Sequence, residues 1–303
     1  MDLSELEVLI SLAQEGSFSR AAESLHRSQP AVSQAIRRLE DEVQAQLMDR
    51  TSRKVVLTAA GTILLGYAKR MVQLREDAKR ALEELRNFKR GVLRLAANES
   101  VCAYVLPPLL KAYRSRLPAV KIEVLQCPSN GISTLLEELD VDFGFLSFTP
   151  IQHDLVSRLL FRDELTLVVY PGHPLAKSKT VLLQQLGSEK FVAHMAETPS
   201  RKRLMDLFAR EGVPLGIVME LSSLETIKDF VKAGDGIAIL PRMCCAKELA
   251  AGELCSPQVR GMAIGRDIRV VYPKTRTHSP AATAFLGLLE RHFPTQEPAE
   301  AGA

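Results

Sequence analysis

The chain has 303 residues, 46% of them hydrophobic and 25% charged, with 39 Lys+Arg against 36 Asp+Glu and a formal net charge of +3. That length allows about two domains with sizeable cores. So small a positive excess does not mark a nucleic-acid binder by itself, and any DNA contact must come from a local cluster.

The opening segment, MDLSELEVLISLAQEGSF, is acidic and amphipathic without a basic n-region or a small-residue cleavage site. No apolar run of the chain approaches a membrane span, so a cytoplasmic protein with no membrane partner is expected. Leu3, Leu6, Leu9, Ile10 and Leu12 form a helical face that stops at Gly16, a C′ position. Ser19 is expected to cap a second short helix, RAAESL, whose small Ala21 and Ala22 let another helix cross closely.

After His26-Arg27 comes SQPAVSQAIRRLEDEV, Ser28 to Val43. Ser28 is a good N-cap, and Pro30 falls in the first turn, where its missing N–H has no intrahelical partner to lose. Val32, Ile36, Leu39 and Val43 make a buried stripe, which turns Gln29, Ser33 and Arg37 outward together with Gln34 and Arg38 as flanks. Glutamine pairs bidentately with adenine and arginine with guanine, while serine serves bases or phosphates. Taken alone the helix is equally well an ordinary solvated face. Preceded by a short helix and a supporting one, it becomes the recognition helix of a helix-turn-helix.

The next stretch, QAQLMDRTSRKVVLTAAG, carries Arg50, Arg53 and Lys54 before the β-favouring run Val55-Val56-Leu57, and reads as a two-stranded wing whose basic tip meets phosphates or a minor groove. Thr58 then caps a long helix from about Ala59 to Phe88. In it Ala60, Leu64, Tyr67, Met71, Leu74, Ala78, Ala81, Leu85 and Phe88 alternate four and three apart, an a/d seam that predicts a dimer helix. Leu64, Tyr67, Met71, Leu74, Ala78 and Leu85 are its candidate contacts. A long helix packed on its own chain is the competing reading.

Residues 1–90 resemble the DNA-binding end of the LysR-type transcriptional regulators, through GSFSRAAESLHRSQPAVSQAIRRLEDEV followed by DRTSRKVVLTAAG. The chain departs from that family at Gln44, where a glycine is usual, and at Met48, where a phenylalanine is usual. The resemblance implies a winged helix-turn-helix over 1–58, a linker and dimerisation helix over 59–90, and an effector-binding domain over 91–303, an α+β fold as a whole.

From Gly91 the pattern becomes β-runs alternating with helical ones: VLRLAA, a helix from Ser100 to Leu117, VKIEVLQ, a helix through Leu135 and Leu139, and DFGFLSF. This βαβαβ order predicts a doubly wound sheet. A second set follows: ELTLVVY, KFVAH, a helix near Ser200–Glu211, IVMEL, a helix over Leu224–Ala233, and GIAILP. RDIRVVYP and the closing helix AATAFLGLLERHF are expected to return to the first sheet. Lobe I then spans about 91–161 and 267–293, and lobe II about 162–266, resembling the family's effector domain and, through it, periplasmic solute-binding proteins.

Ligands of open α/β sheets sit at strand carboxyl ends, where helix N-termini favour an anion. The candidates are Asn98, Ser100, Ser129, Asn130 and Ser147 in lobe I, and Thr198, Ser200, Arg201, Ser222 and Ser223 in lobe II. Each serine or threonine alone is equally an N-cap, so only their convergence argues for a pocket. Arg201 is the natural partner of a carboxylate, and Glu99 opposes an anion unless it pairs with Arg201 or faces away.

Five cysteines, at 102, 127, 244, 245 and 255, form no CxxC or metal-ligand spacing and read as reduced core residues, with no metal or cofactor. No GxSxG, HExxH, P-loop or GxGxxG appears, so an enzyme is not expected. The expected function is a sequence-specific regulator of transcription, binding double-stranded promoter DNA as a homodimer or homotetramer and modulated by a small, anionic effector, with RNA polymerase as a further candidate partner. A solute-binding module without a transcriptional role is the alternative; the missing signal peptide and the helical N-terminal extension oppose it.

Overall fold

The computed structural model describes residues 1–49, 55–86, 91–150, 152, 154–195 and 197–294. It divides into two compact units, one built on residues 1–88 and the other on residues 89–136 and 141–303.

The first unit begins with α1 (Leu3–Glu15), closed at its start by an Asp2/Glu5 capping box and at its end by Gly16 at φ +59°. The next helix, α2 (Phe18–Ser24), starts two residues earlier than expected: Ser17 is its N-cap, and Ser19 lies inside the first turn. The recognition-helix candidate, α3 (Gln29–Val43), is capped by Ser28, whose Oγ accepts from the Ala31 amide at 3.4 Å. It buries Val32, Ala35, Ile36 and Leu39 against α1 and α2. Gln44 ends it in the left-handed region at φ +51°.

Strands β1 (Met48–Asp49) and β2 (Val56–Leu57) pair antiparallel and form the base of the wing. Glu40 of α3 secures this base by accepting from the Leu47 amide at 3.0 Å, and Met48 is buried in the core of the unit. The tip, with Arg50, Arg53 and Lys54, lies outside the described residues.

Thr58 caps α4 (Ala59–Arg86) through Oγ1, which accepts from Gly61 N at 3.0 Å. Gly61 must be glycine, because a Cβ there would stand 2.1 Å from the Leu47 carbonyl oxygen. The expected a/d seam divides on this helix. Ala60, Leu64, Leu65, Ala68 and Val72 pack into the unit's own core, whereas Ile63, Tyr67, Met71, Leu74 and Leu82 are exposed apolar side chains. At about 100° per residue these are two adjacent stripes of one wide apolar arc, with Leu64 on the border. The side chains of Ala81, Leu85 and Phe88 lie outside the described set.

The second unit runs β3 (Val92–Ala97), α5 (Glu99–Tyr104), α6 (Leu106–Arg116), β4 (Lys121–Gln126), α7 (Ser129–Glu137), β5 (Phe143–Leu146) and the long β6 (Leu155–Val168). Then come β7 (Thr180–Leu182), β8 (Phe191–His194), α8 (Pro199–Arg210), β9 (Ile217–Leu221), α9 (Leu224–Ala233), β10 (Ala238–Pro241), α10 (Arg242–Ala251), β11 (Gln258–Arg260), β12 (Gly265–Pro273) and α11 (Pro280–His292).

The helix expected over Ser100–Leu117 is two helices, because Pro107 and Pro108 cannot continue the ladder of α5 and instead occupy the first turn of α6. Leu139, expected inside the following helix, lies beyond the end of α7 at φ +61°.

The main sheet has the order β10-β6-β12-β5-β3-β4. Strand β3 is parallel to β4 and β5, while β12 returns to this sheet, as expected, and does so antiparallel between β5 and β6, an arrangement the sequence did not indicate. Lobe I carries a core on each face of this sheet, one with α6 and α11 around Phe143, Phe145 and Phe285, the other with α7 around Ile132 and Leu136. In lobe II, β8 pairs parallel with β9 and bridges to Ile237 beside β10. Its two cores gather around Phe191 and Phe208 of β8 and α8, and around Ile227 and Val231 of α9. Strand β6 belongs to both lobes: Leu155–Glu164 pair with β12 and Leu165–Val168 with β10. Its first half, together with β7, β11 and α10, is absent from the sequence expectation.

Candidate functional site

On α3 the outward face is centred on Arg37 and Gln34, both exposed, with Gln29 exposed nearer the N-terminus beside Ser28 and Pro30. Ser33 is half-buried and sits at the flank of this row, because the buried stripe turns it partly inward. Arg38 is engaged by Glu5 of α1, with Nε 2.7 Å from Oε1. Arg38 therefore braces α3 against α1, and Arg37 carries no ion pair among the described residues.

The second unit contains a cavity of about 530 Å³ between its lobes, within the range of roughly 300–1,000 Å³ typical of small-molecule sites. Eight of the ten expected residues line it: Asn98, Ser100, Ser129, Asn130, Thr198, Ser200, Arg201 and Ser222. The other two lie elsewhere. Ser147 is buried behind the end of β5, and Ser223 caps α9, accepting from the Thr226 amide at 3.4 Å.

Asn98 caps α5 and links the lobe I set. Its Oδ1 accepts from the Val101 amide at 3.1 Å and from the Ser100 hydroxyl at 3.0 Å, and its Nδ2 donates to Ser129 Oγ at 3.4 Å. Across the cavity, Thr198 Oγ1 caps α8, accepting from Arg201 N at 3.1 Å. Ser200, one turn-residue inside α8, is 2% exposed, and its Oγ has no hydrogen-bond partner among the described residues.

The charges are arranged differently from the sequence expectation. Arg201 is paired with Glu220 of β9. Glu99 lines the cavity and is not the partner of Arg201. One carboxylate oxygen is 2.9 Å from His194 Nε2 of β8, and the other accepts from the Leu224 amide at 2.9 Å, at the start of α9. It thus ties lobe I to lobe II at a helix N-terminus, where a negative charge is stabilised.

A second guanidinium, Arg266, is 6% exposed at the start of β12 and escaped the sequence reading. It donates to Asp163 at 3.0 Å and to Ser100 Oγ at 3.1 Å. Burial pushes the Asp163 carboxyl up and the Arg266 guanidinium down from their ordinary values, and their mutual attraction opposes both shifts. Its sequence signal was only a basic residue opening a predicted strand, which does not distinguish a buried ion pair from a solvated end.

The lobes meet again at Tyr104, whose hydroxyl donates to Glu225 of α9. Beneath it the ammonium of Lys228, 1% exposed, reaches Glu248 and the Cys244 carbonyl and lies 5.2 Å from the Tyr104 ring centroid. Burial alone would depress the Lys228 ammonium, but its hydrogen bonds to Glu248, Tyr104 and Glu225 outweigh that and raise it.

All five cysteines are free thiols. Burial pushes Cys102 up to about 11, Cys245 up to about 12 and Cys244 higher still, so these thiols stay protonated near neutrality. Among the described residues no His/Cys/Asp/Glu group is placed to hold a metal, and no helix is long and apolar enough to cross a membrane.

A winged helix-turn-helix unit joined in one chain to a two-lobed α/β unit with a cavity between its lobes defines a DNA-binding regulator with an effector-binding domain. Residues 3–62 match the family model described as bacterial regulatory helix-turn-helix protein, lysR family, and residues 86–294 match the LysR substrate binding domain. The chain is 33% identical to a protein of Cyanophora paradoxa named "Probable RuBisCO transcriptional regulator", over 98% of this chain and 93% of that one. It is 31% identical to the protein of the same name from Trichormus variabilis, over 97% and 89%.

Among solved structures it is similar to CbnR, a LysR family transcriptional regulator, with TM-score 0.67 at 21% identity over 97% of this chain and 100% of that one. It is also similar to a full-length OxyR variant from Pseudomonas aeruginosa, with TM-score 0.69 at 22% identity over 98% of each chain. The CcmR regulatory domain of Synechocystis, solved in complex with 2-PG, matches with TM-score 0.61 at 24% identity over 68% of this chain and 98% of that one. The chain belongs to the LysR family of transcriptional regulators.

Proposed function

We propose that α3 reads base edges through Arg37, Gln34 and Gln29 with Ser33 at the flank, while Ser28, Pro30 and Arg38 set its position and Arg50, Arg53 and Lys54 of the wing engage phosphates. The observation that carries this reading is the division of labour between adjacent arginines: Arg38 is held by Glu5, and Arg37 is exposed at the centre of the outward face. Binding of Arg37→Ala is to be compared on an operator selected from genomic DNA and on bulk DNA. The expected result is a loss of about 1–3 kcal/mol on the operator and little on bulk DNA. An equal loss on both would refute base reading.

The exposed stripe on α4 is the seam for a second copy, giving a dimer or a dimer of dimers that addresses repeated half-sites. The cavity is the effector site. Its hydroxyls and the N-termini of α7 and α8 receive an anionic group of a small molecule. Occupancy acts by linkage, shifting the assembly only by the ligand's difference in affinity for its alternative forms. The protein works in the cytoplasm, without catalytic activity or a cofactor.

A further inference from the structure

The cavity changes character along its length. Its polar lining includes Asn98 and Ser129 from lobe I and, facing them, Thr198 and Ser200 from the start of α8 in lobe II. Within lobe II its wall is Leu165, Phe191, Leu204, Leu215, Ile217 and Ile239, which belong to, or pack against, the core around Phe208. Those six side chains carry no polar atom.

The electrostatics of the polar end are equally distinctive. Both guanidinium groups on the lining already face a carboxylate, Arg266 facing Asp163 and Arg201 facing Glu220, and the His194 imidazole lies against Glu99. Glu197 adds a further carboxylate to the lining. A dianion entering here would lose its hydration without meeting any excess of positive charge. A single carboxylate needs less, and neutral donors suffice for it: the Ser129 and Thr198 hydroxyls, the Ser200 amide at the start of the 12-residue α8, and the buried Ser200 hydroxyl, which has no partner among the described residues.

We propose that the effector is a monocarboxylate with an apolar body of several carbons, its carboxylate at Ser200 and its hydrocarbon in the chamber walled by Leu215, Ile217 and Ile239. This rests on the reading of the cavity as the effector site, and it excludes phosphorylated and dicarboxylic ligands of similar size.

Calorimetric titration of the full-length chain with n-alkanoates from acetate to hexanoate tests it, alongside glycerol 3-phosphate and succinate. Each added methylene should tighten binding about fourfold until the chamber is full, and the two dianions should bind at least tenfold more weakly than hexanoate. Ile239→Phe and, independently, Leu215→Phe should flatten the alkanoate series by filling the chamber, and Ser200→Val should weaken every alkanoate by a similar factor. Tighter binding of a dianion, abolished by Ser200→Val, would overturn the ligand class while leaving the cavity as the effector site. A series that rises alike in wild type and in both phenylalanine variants, unmoved by Ser200→Val, would overturn the placement and the cavity reading together. No binding by either ligand class would overturn the proposal as well.

Discussion

Gln44 ends α3 in the left-handed region, at φ +51° and ψ 37°, a conformation in which a Cβ crowds the following carbonyl oxygen. For a non-glycine residue that crowding costs about 1–2 kcal/mol. Replacing Gln44 by glycine removes it, but adds about 0.5–1 kcal/mol of unfolded-state entropy to be overcome on folding. The side-chain bond lost, from Gln44 Nε2 to the Asp41 carbonyl at 2.5 Å, is exposed and contributes little. The balance favours Gln44→Gly by about 0.5–1 kcal/mol. A unit of this size gains about 4–8 °C per kcal/mol, so its melting midpoint should rise by about 3–6 °C. Circular dichroism melts of the full chain report this, with Gln44→Ala as the control: alanine keeps the Cβ and loses the same side-chain bond, so it should not raise the midpoint. A midpoint unchanged or lowered by glycine, or raised equally by alanine, would refute the strain argument.

Two further outcomes follow from the same structure. Leu74, 65% exposed at the centre of the outward stripe of α4, can become aspartate without disturbing the unit's own core. Leu74→Asp should yield folded monomers in sedimentation velocity, and a variant that sediments like the wild type would remove the stripe from the interface. Stability should also fall steeply in alkali. The Cys244 and Cys245 thiols titrate near 9.0 in the unfolded chain but are held above that in the fold by burial, so above pH 9 the unfolded state binds fewer protons and is favoured. Each of these thiols removes about 1.4 kcal/mol per pH unit there, and the raised Lys228 acts in the same direction above its unfolded value of 10.5. Melting midpoints should be flat from pH 7 to 8.5 and drop beyond 9, and Cys245→Ala should soften the drop; a flat profile to pH 10.5 would contradict the burial argument.

Elements whose start and stop signals are local were legible in the sequence. Helix α9 spans Leu224–Ala233 as expected because Ser223 and Gly234 punctuate it, and α3 begins at Ser28 for the same kind of reason. Strands β7 and β11, of three residues each, are too short to show a period, and the first half of β6 does not alternate cleanly because parts of both its faces are half-buried. At the cavity, the hydroxyl residues were found because strand ends and helix starts mark them. Their charge partners were not, since Arg201–Glu220 joins α8 to β9 and Arg266–Asp163 joins β12 to β6, elements that meet only in the folded chain. The a/d seam shows the same limit in another form: spacing revealed a broad apolar arc on α4, but only packing against α1 separates the stripe used internally from the stripe left outward.

The passage between the lobes has a mechanical meaning. The chain crosses at Glu164–Leu165 and again at Ile264–Gly265, and the two crossings lie side by side, with the Leu165 amide donating to the Ile264 carbonyl at 2.9 Å. Two antiparallel strands bonded in this way form a ribbon that twists readily but resists shear, since sliding by one residue would reverse every side chain. The joint is a torsion spring, and Arg266 is clamped to Asp163 across it. Any turning of one lobe against the other would twist this ribbon and leave the register of its strands unchanged.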